Sequence, residues 1–337
     1  MIILSIESSC DETAVAVTRG GRTVLSDEIF SQADMHALYG GVVPEIASRN
    51  HLAVVSKLAD AAIAKAKISK SDIEAVAVTN APGLIGALLV GLNFAKGVAA
   101  SLGVPLVPVN HLRGHIAANY IAFAELEPPF LGVVVSGGNS VIVDVRGYTD
   151  MRILGSTRDD AAGECFDKAA RVLGLPYPGG KPLDDLAKSG DDTAFRLPRP
   201  VIDGAEFDMS FSGLKTAVVN IVHNAEQKGE ELNKSDLAAS FAAAVSDILV
   251  PRVMAAAKLL GYGKIAVAGG VAANSRIRAD LQKASVAQGE TLYLPPLSLC
   301  GDNAAMIGCQ GYYEYLAGTR GNMGTNAYAT SERSDTV

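Results

Sequence analysis

Apolar positions along the chain fall into short runs of strand length, separated by longer stretches of helical period. Residues 2–6 read as a strand. Residues 13–19 and 23–30 flank Gly20-Gly21, and a Gly-Gly pair between two such runs signals a hairpin. A helix is expected over 44–65, then a strand over 73–79, a helix over 86–101 and a strand over 104–109. The pattern then restarts. Strands are expected at 131–135, 140–145 and 151–156, followed by several helices, one spanning 234–260. A strand at 265–268, a helix from about 274, a strand at 291–294 and a last helix from 302 complete it. Each half is three strands in meander followed by alternating helix and strand. That predicts a duplicated α/β chain with two lobes and a cleft between them. The expected division is 1–110 for the first lobe, 111–320 for the second and 321–337 for a loose tail of small and polar residues.

Two of the five histidines stand four residues apart in His111-Leu-Arg-Gly-His115, directly after the strand at 104–109. Asn110 suits a helix N-cap, with helical pattern continuing to 123. Residues i and i+4 share one helix face, so both imidazoles can reach one metal ion. The pair reads equally as two surface histidines on an amphipathic helix. Gly114 costs a helix interior about 1 kcal/mol relative to Ala. Its missing side chain is expected to leave room for a substrate group between the two rings.

Composition narrows the class. The 337 residues are 49% hydrophobic with 34 glycines and no tryptophan, which suits a well-packed α/β protein of about two domains. No run reaches about 18 uninterrupted apolar residues, and the amino terminus lacks the basic stretch and cleavage site of a signal peptide. Cys10, Cys165, Cys300 and Cys309 show no CxxC spacing, so reduced thiols in the cytoplasm are expected, with no membrane association. A net charge of −7 argues against a surface that holds nucleic acid over its whole extent. Arg196 with Arg199, and Arg276 with Arg278 and Lys283, form local basic clusters that read first as solvated faces.

Glycine-rich turns follow several strands: Val135-Ser-Gly-Gly138, Pro178-Gly-Gly180 and Ala268-Gly-Gly-Val-Ala-Ala-Asn274. Such turns let backbone N–H groups approach an anion, and a helix N-terminus adds partial positive charge. Neither GxxxxGK[ST] nor GxGxxG occurs, so the chain is not a P-loop enzyme. Each turn alone reads as structural; three in a duplicated α/β chain point to a nucleotide.

The run Lys96-Gly97, Leu102-Gly103-Val-Pro105 and His111-Leu-Arg-Gly-His115-Ile116 resembles the signature of the family once called glycoproteases, now understood as TsaD of tRNA threonylcarbamoyladenosine biosynthesis. The resemblance extends over nearly the full chain. It includes Ile6-Glu-Ser-Ser-Cys-Asp-Glu-Thr13, Tyr39-Gly-Gly-Val-Val-Pro-Glu45, Ala47-Ser-Arg49 and Ala81-Pro-Gly-Leu84. Asp160-Ala-Ala-Gly-Glu164, Phe166-Asp-Lys168, Tyr177-Pro-Gly-Gly180, Phe211-Ser-Gly-Leu-Lys-Thr216, Ala268-Gly-Gly-Val271 and Asp302-Asn303 follow in order.

The resemblance implies an actin-like ATPase (ASKHA) fold, like that of sugar kinases and Hsp70. It implies an acyltransferase that moves threonylcarbamoyl from threonylcarbamoyl-AMP to N6 of adenosine 37 in tRNAs reading codons that begin with A. By motif, His111, His115 and Asp302 become the metal ligands, with Asp302 expected in the opposite lobe. Val135, Ser136, Gly137, Gly138, Asn139, Asp167, Gly180, Asp184 and Asn274 become substrate and nucleotide contacts. Two His and one carboxylate suit Fe(2+), and Zn(2+) fits the same set. Asp11 or Glu12, at the first hairpin, is expected to assist proton removal from the amine, and reads equally as a turn carboxylate. Implied partners are TsaB, which pairs through helices of the first lobe, TsaE and tRNA, with TsaC supplying the adenylate; a homodimer is the alternative in isolation. Two positions depart from the family pattern: Asn139 stands where His is usual, and Ala304 where Gly is common.

Other readings fit less well. A zinc peptidase of this type needs Glu directly after the first His, where Leu112 stands. A sugar kinase leaves the paired histidines without a purpose, and a scaffold relative like TsaB lacks the metal ligands.

Overall fold

The structure, a computed structural model, describes residues 1–330. The expected tail partly falls outside: 331–337 lie beyond the described residues. The chain divides into two compact units. The first comprises Met1–Pro128, Val145–Arg152 and Pro295–Val337; the second comprises Pro129–Asp144 and Ile153–Leu294.

The first unit begins with β1 (Ile2–Glu7), β2 (Glu12–Arg19) and β3 (Thr23–Ser31), followed by the short α1 (Ala33–Ala37) and the long α2 (Pro44–Ala66). Next come β4 (Ala75–Ala81), α3 (Ile85–Leu102), β5 (Leu106–Asn110) and α4 (His111–Ala122). Its sheet has the order β3-β2-β1-β4-β5, with the β1–β2 and β2–β3 pairs antiparallel and the β1–β4 and β4–β5 pairs parallel. Alternation along the strands assigns the two faces. Leu4, Ile6, Val76 and Val78 pack with Val55 and Ala59 of α2 and Leu88 and Leu92 of α3. Ile3, Ala75 and Ala77 point the other way, into a cluster with Ala118, Met306 and Ile307. A strand covered on both faces needs apolar residues at successive positions, which is why these runs read as continuous.

The second unit carries β6 (Phe130–Val135), β7 (Ser140–Val145), β8 (Met151–Ser156), α5 (Ala162–Val172), α6 (Gly180–Ala187), α7 (Ser212–Lys228) and α8 (Lys234–Leu260). It ends with β9 (Lys264–Ala268), α9 (Ser275–Gln288) and β10 (Thr291–Tyr293). Its sheet order, β10-β9-β6-β7-β8, is the first sheet's order repeated. β9 runs parallel to both β6 and β10. The duplication expected from the sequence is therefore present. Helices α3 and α8 are apolar enough and long enough to span a bilayer by composition. In the structure α8 is mostly buried, and α3 buries Leu88, Gly91, Leu92 and Ala95 against its own sheet.

The last helix, α10 (Ala304–Leu316), belongs to the first unit. Small residues seat it on the first sheet. A Cβ at Gly308 would lie 2.7 Å from Thr18 Oγ1, and one at Gly311 would lie 2.5 Å from Ala77 Cβ. This redraws the expected division. The boundary at 110 falls inside the first unit, which keeps α4 and regains the chain from Pro295 onward. Residues 321–330 are tied down rather than loose: Gly321 N donates to Leu106 O, Tyr328 N donates to Asn80 O, and Ala327 is buried.

Candidate active site: a buried triad and a set of glycine turns

α4 begins where β5 ends. Asn110 caps it as expected, its Oδ1 accepting from Leu112 N at 2.8 Å, which sets the helix start at His111. One turn on, His115 lies over the same face, and the two imidazole centroids are 4.6 Å apart. α10 is capped by Asn303, whose Oδ1 accepts from Met306 N at 2.8 Å, so the helix starts at Ala304 and Asp302 precedes it. Asp302 Oδ1 lies 3.2 Å from His115 Nε2 and 3.6 Å from His111 Nε2. One donor atom from each of His111, His115 and Asp302 falls within 4.8 Å of the others. The three predicted ligands thus meet, and they do so within one unit. Asp302 is not in an opposite lobe, because the glycines of α10 bind it to the first sheet.

The residues fit a divalent cation. His115 is fully buried, and neither of its ring nitrogens makes a hydrogen bond, although Nε2 faces Asp302. A buried polar atom without a partner is costly, and a metal ion held by the three residues would satisfy Nε2. Burial raises the Asp302 carboxyl, but the facing His111 and His115 outweigh it and bring it to about 2. Burial pushes His111 down, while the charges of Glu7 and Asp302 push it up, to about 9 overall.

Gly114 serves a different purpose from the one expected. A Cβ there would lie 2.6 Å from Ile307 Cδ1, so the missing side chain admits α10 rather than a substrate group.

Asp11 ends the loop from β1 to β2, and Glu12 opens β2. Gln32 N donates to Asp11 O, and Ser31 Oγ donates to Glu12 Oε1 at 3.1 Å. Burial, with the charges of Asp302 and Asp11 adding to it, pushes Glu12 up to about 9. His51 braces this loop from α2. Its Nε2 donates to Cys10 O at 2.9 Å, and its Nδ1 then accepts from Thr13 Oγ1 at 2.7 Å. Burial holds the ring neutral by lowering its pKa.

In the second unit the predicted nucleotide contacts form linked turns. Ser136 N donates to Asn139 O, closing the β6–β7 turn, and Gly163 N and Glu164 N donate to Ser136 O and Gly137 O. Gly269, at φ +91, passes so close to the same strand end that a Cβ would lie 2.4 Å from Val135 O. Asp167 Oδ1 accepts from Gly179 N at 2.7 Å, beside Gly180 at the start of α6. Asp184 Oδ1 accepts from Ser275 N and Oγ at 3.0 and 2.8 Å, and Asn274 caps α9. Gly137, Gly138 and Gly180 face open space. The basic clusters are partly neutralised: Arg199 pairs with Asp247, and Arg276 with Asp192 and Asp280.

Residues 23–309 match the family described as TsaD, tRNA N6-adenosine threonylcarbamoyltransferase. The chain belongs to the TsaD family. It is 50% identical over 325 residues to the tRNA N6-adenosine threonylcarbamoyltransferase of Clostridium botulinum, covering 96% of each chain. It is also 50% identical over 326 residues to that of Clostridium perfringens SM101, covering 97% of this chain and 96% of the other. Among solved structures, component A of the Acidaminococcus fermentans (R)-2-hydroxyglutaryl-CoA dehydratase matches with a TM-score of 0.55 at 16% identity, over 94% of this chain and 97% of that one. HypF from T. kodakarensis matches with a TM-score of 0.62 at 17% identity, over 94% of this chain and 48% of that one. These two likenesses concern the fold.

A TsaD-family transferase acting on N6 of adenosine in tRNA is thus shown. One buried carboxylate escaped the sequence reading. Glu7 was quoted within a family motif but given no role, yet its Oε2 lies 3.0 Å from His111 Nδ1. The signal available was a charged residue at the end of a mostly apolar strand.

Proposed function

We propose that this TsaD-family enzyme transfers threonylcarbamoyl from threonylcarbamoyl-AMP to N6 of adenosine 37, in tRNAs whose codons begin with A, with a divalent cation held by His111, His115 and Asp302. The observation that carries the metal part is the buried triad, with two His115 nitrogens lacking hydrogen bonds. Fe(2+) is favoured by the two-histidine, one-carboxylate set, and Zn(2+) fits it. When bound, such an ion supplies Lewis-acid polarisation of a carbonyl oxygen.

An aromatic exocyclic amine is a weak nucleophile, so the carbamoyl carbon must be made electrophilic and the amine relieved of a proton. The N6–carbon bond forms, the carbon–oxygen bond to phosphate breaks, and AMP leaves. Glu12, or Asp11 beside it, takes the proton. Burial and the charges of Asp302 and Asp11 raise Glu12 to about 9, so it takes the proton only from its ionised form, which the charge of a bound cation favours. The nucleotide cleft of an actin-like fold is part of this proposal. The turn 135–139 and Gly180 face the phosphate, Asp167 and Asp184 accept from ribose hydroxyls, and the Asn274 segment flanks the adenine. Asn139, in place of the usual His, offers a neutral amide there.

The reading extends to company and place. A cytoplasmic chain working with TsaB and TsaE, on adenylate made by TsaC, accounts for an acidic protein acting on a polyanion: the partners supply positive surface. Exposed Leu52 on α2 and Ile85 and Leu89 on α3 suit pairing with TsaB, or with a second copy in isolation. Reconstitution with labelled threonine, ATP, TsaC and tRNA tests the whole. Label on adenosine 37 only with TsaB and TsaE present supports it. Transfer by the isolated chain at full rate refutes the role given to partners, and no transfer in the complete mixture refutes the substrate assignment.

A further inference from the structure

We infer that Glu7 is the positioning residue of the metal centre, fixing the proton of His111 on Nδ1 so that Nε2 alone is presented to the cation. The inference rests on the metal reading above and concerns a residue outside the three ligands.

The geometry follows from three neighbouring strands. β1 and β4 pair in parallel with Ile6 opposite Val78, so Glu7, the last residue of β1, lies beside Thr79 of β4. β5 lies next in the sheet and leads directly into His111 at the start of α4. Glu7 is fully buried, and both its oxygens are engaged. Oε1 accepts from Ser9 N at 2.5 Å. Oε2 accepts from Thr79 Oγ1 at 2.5 Å and from His111 Nδ1 at 3.0 Å. Ser9 Oγ also approaches His111 Nδ1, at 3.2 Å.

Glu7 therefore stands on the Nδ1 side of the ring, while Asp302 Oδ1 stands on the Nε2 side, 3.6 Å away. A carboxylate in that place is an acceptor only, so the shared proton belongs to Nδ1 and the lone pair to Nε2. The same carboxylate adds electron density to the ring and holds its plane, as outer carboxylates do for metal-bound histidines. Glu7 stands outside the ligand set: it lies on the Nδ1 side of the ring, with Oε1 held by Ser9 N and Oε2 by Thr79 Oγ1 and His111 Nδ1. His115 has no carboxylate behind its ring: its Nδ1 makes no hydrogen bond, and its Nε2 faces Asp302 Oδ1 at 3.2 Å, so the two histidines are held differently.

Zinc is the probe. Competition with a chromophoric chelator should show Glu7→Gln binding zinc about 10–100-fold more weakly than wild type, the range for loss of an outer carboxylate partner. Thr79→Val removes one donor from the same oxygen but spares the bond to His111, and should bind zinc nearly as wild type does. A second readout needs no variant. Nitrogen-15 spectra of histidine-labelled, zinc-loaded wild-type protein should show His111 with a protonated Nδ1 and a zinc-bound Nε2. Equal zinc affinity in folded Glu7→Gln, or zinc on Nδ1 of His111, overturns the inference while leaving the metal reading intact. Wild-type protein that binds no zinc overturns the metal reading, and this inference falls with it.

Discussion

Gly114 and Ile307 meet at the crossing of α4 and α10: a Cβ added to Gly114 would sit 2.6 Å from Ile307 Cδ1. Both residues are buried, and Ile307 belongs to the cluster that covers one face of the first sheet. α4 carries two of the proposed ligands, His111 and His115, and α10 begins two residues after the third, Asp302. The closeness of this crossing therefore sets whether the triad closes.

Gly114→Ala should accordingly destabilise the protein by about 1–3 kcal/mol through overpacking, despite the gain in helix propensity. It should also weaken zinc binding. Ile307→Val removes the offending methyl group, so the double variant should recover much of both losses. Denaturant unfolding and zinc competition across the four proteins measure the coupling. An additive result would mean that the two side chains do not share this space.

Legibility of this region in the sequence was uneven. Spacing and Asn110 made α4 readable, and the strand pattern made both sheets readable, because alternation and cap chemistry are local. The unit boundary was not local. It depends on Gly308 and Gly311 letting the last helix lie on strands far earlier in the chain, as the approach of Gly308 to Ser5 and of Gly311 to Ala77 shows. Gly114 was misread for the same reason: its neighbour is Ile307, not the residue next to it. Glu7 was hidden because a single carboxylate at a strand end has no period.

Asp27 gives a pH signature. Its Oδ1 accepts from Ala304 N at 3.3 Å. Burial raises its pKa from 3.8 to about 6. The folded state thus binds this proton more tightly than the unfolded chain does. The stabilising contribution is complete below about pH 4 and is lost as pH rises through 6. Asp27→Asn keeps the acceptor without the charge. Its stability relative to wild type should rise between those pH values, by at most about 3 kcal/mol at 1.36 kcal/mol per unit and less where water screens the group. Unfolding curves at pH 4 and pH 7 check it; a difference that does not change with pH would contradict the assignment.

Gly269 should be intolerant. Its φ of +91 and the 2.4 Å approach to Val135 O mean that Gly269→Ala strains the backbone and displaces the strand end carrying the 135–139 turn. The cost should be roughly 2–5 kcal/mol, with adenine nucleotide affinity falling in parallel. Calorimetry and nucleotide titration on the same sample distinguish this from a purely local effect. Wild-type affinity in a destabilised variant would separate Gly269 from nucleotide binding.

The central claim is that three residues of one unit, His111, His115 and Asp302, hold a divalent ion. The direct measurement is metal content by mass spectrometry after loading with zinc and desalting, on wild type and on His115→Ala, each verified as folded by circular dichroism. One zinc per wild-type chain and essentially none in folded His115→Ala is the predicted result. Zinc retained by the folded variant, or absent from folded wild type, would contradict it.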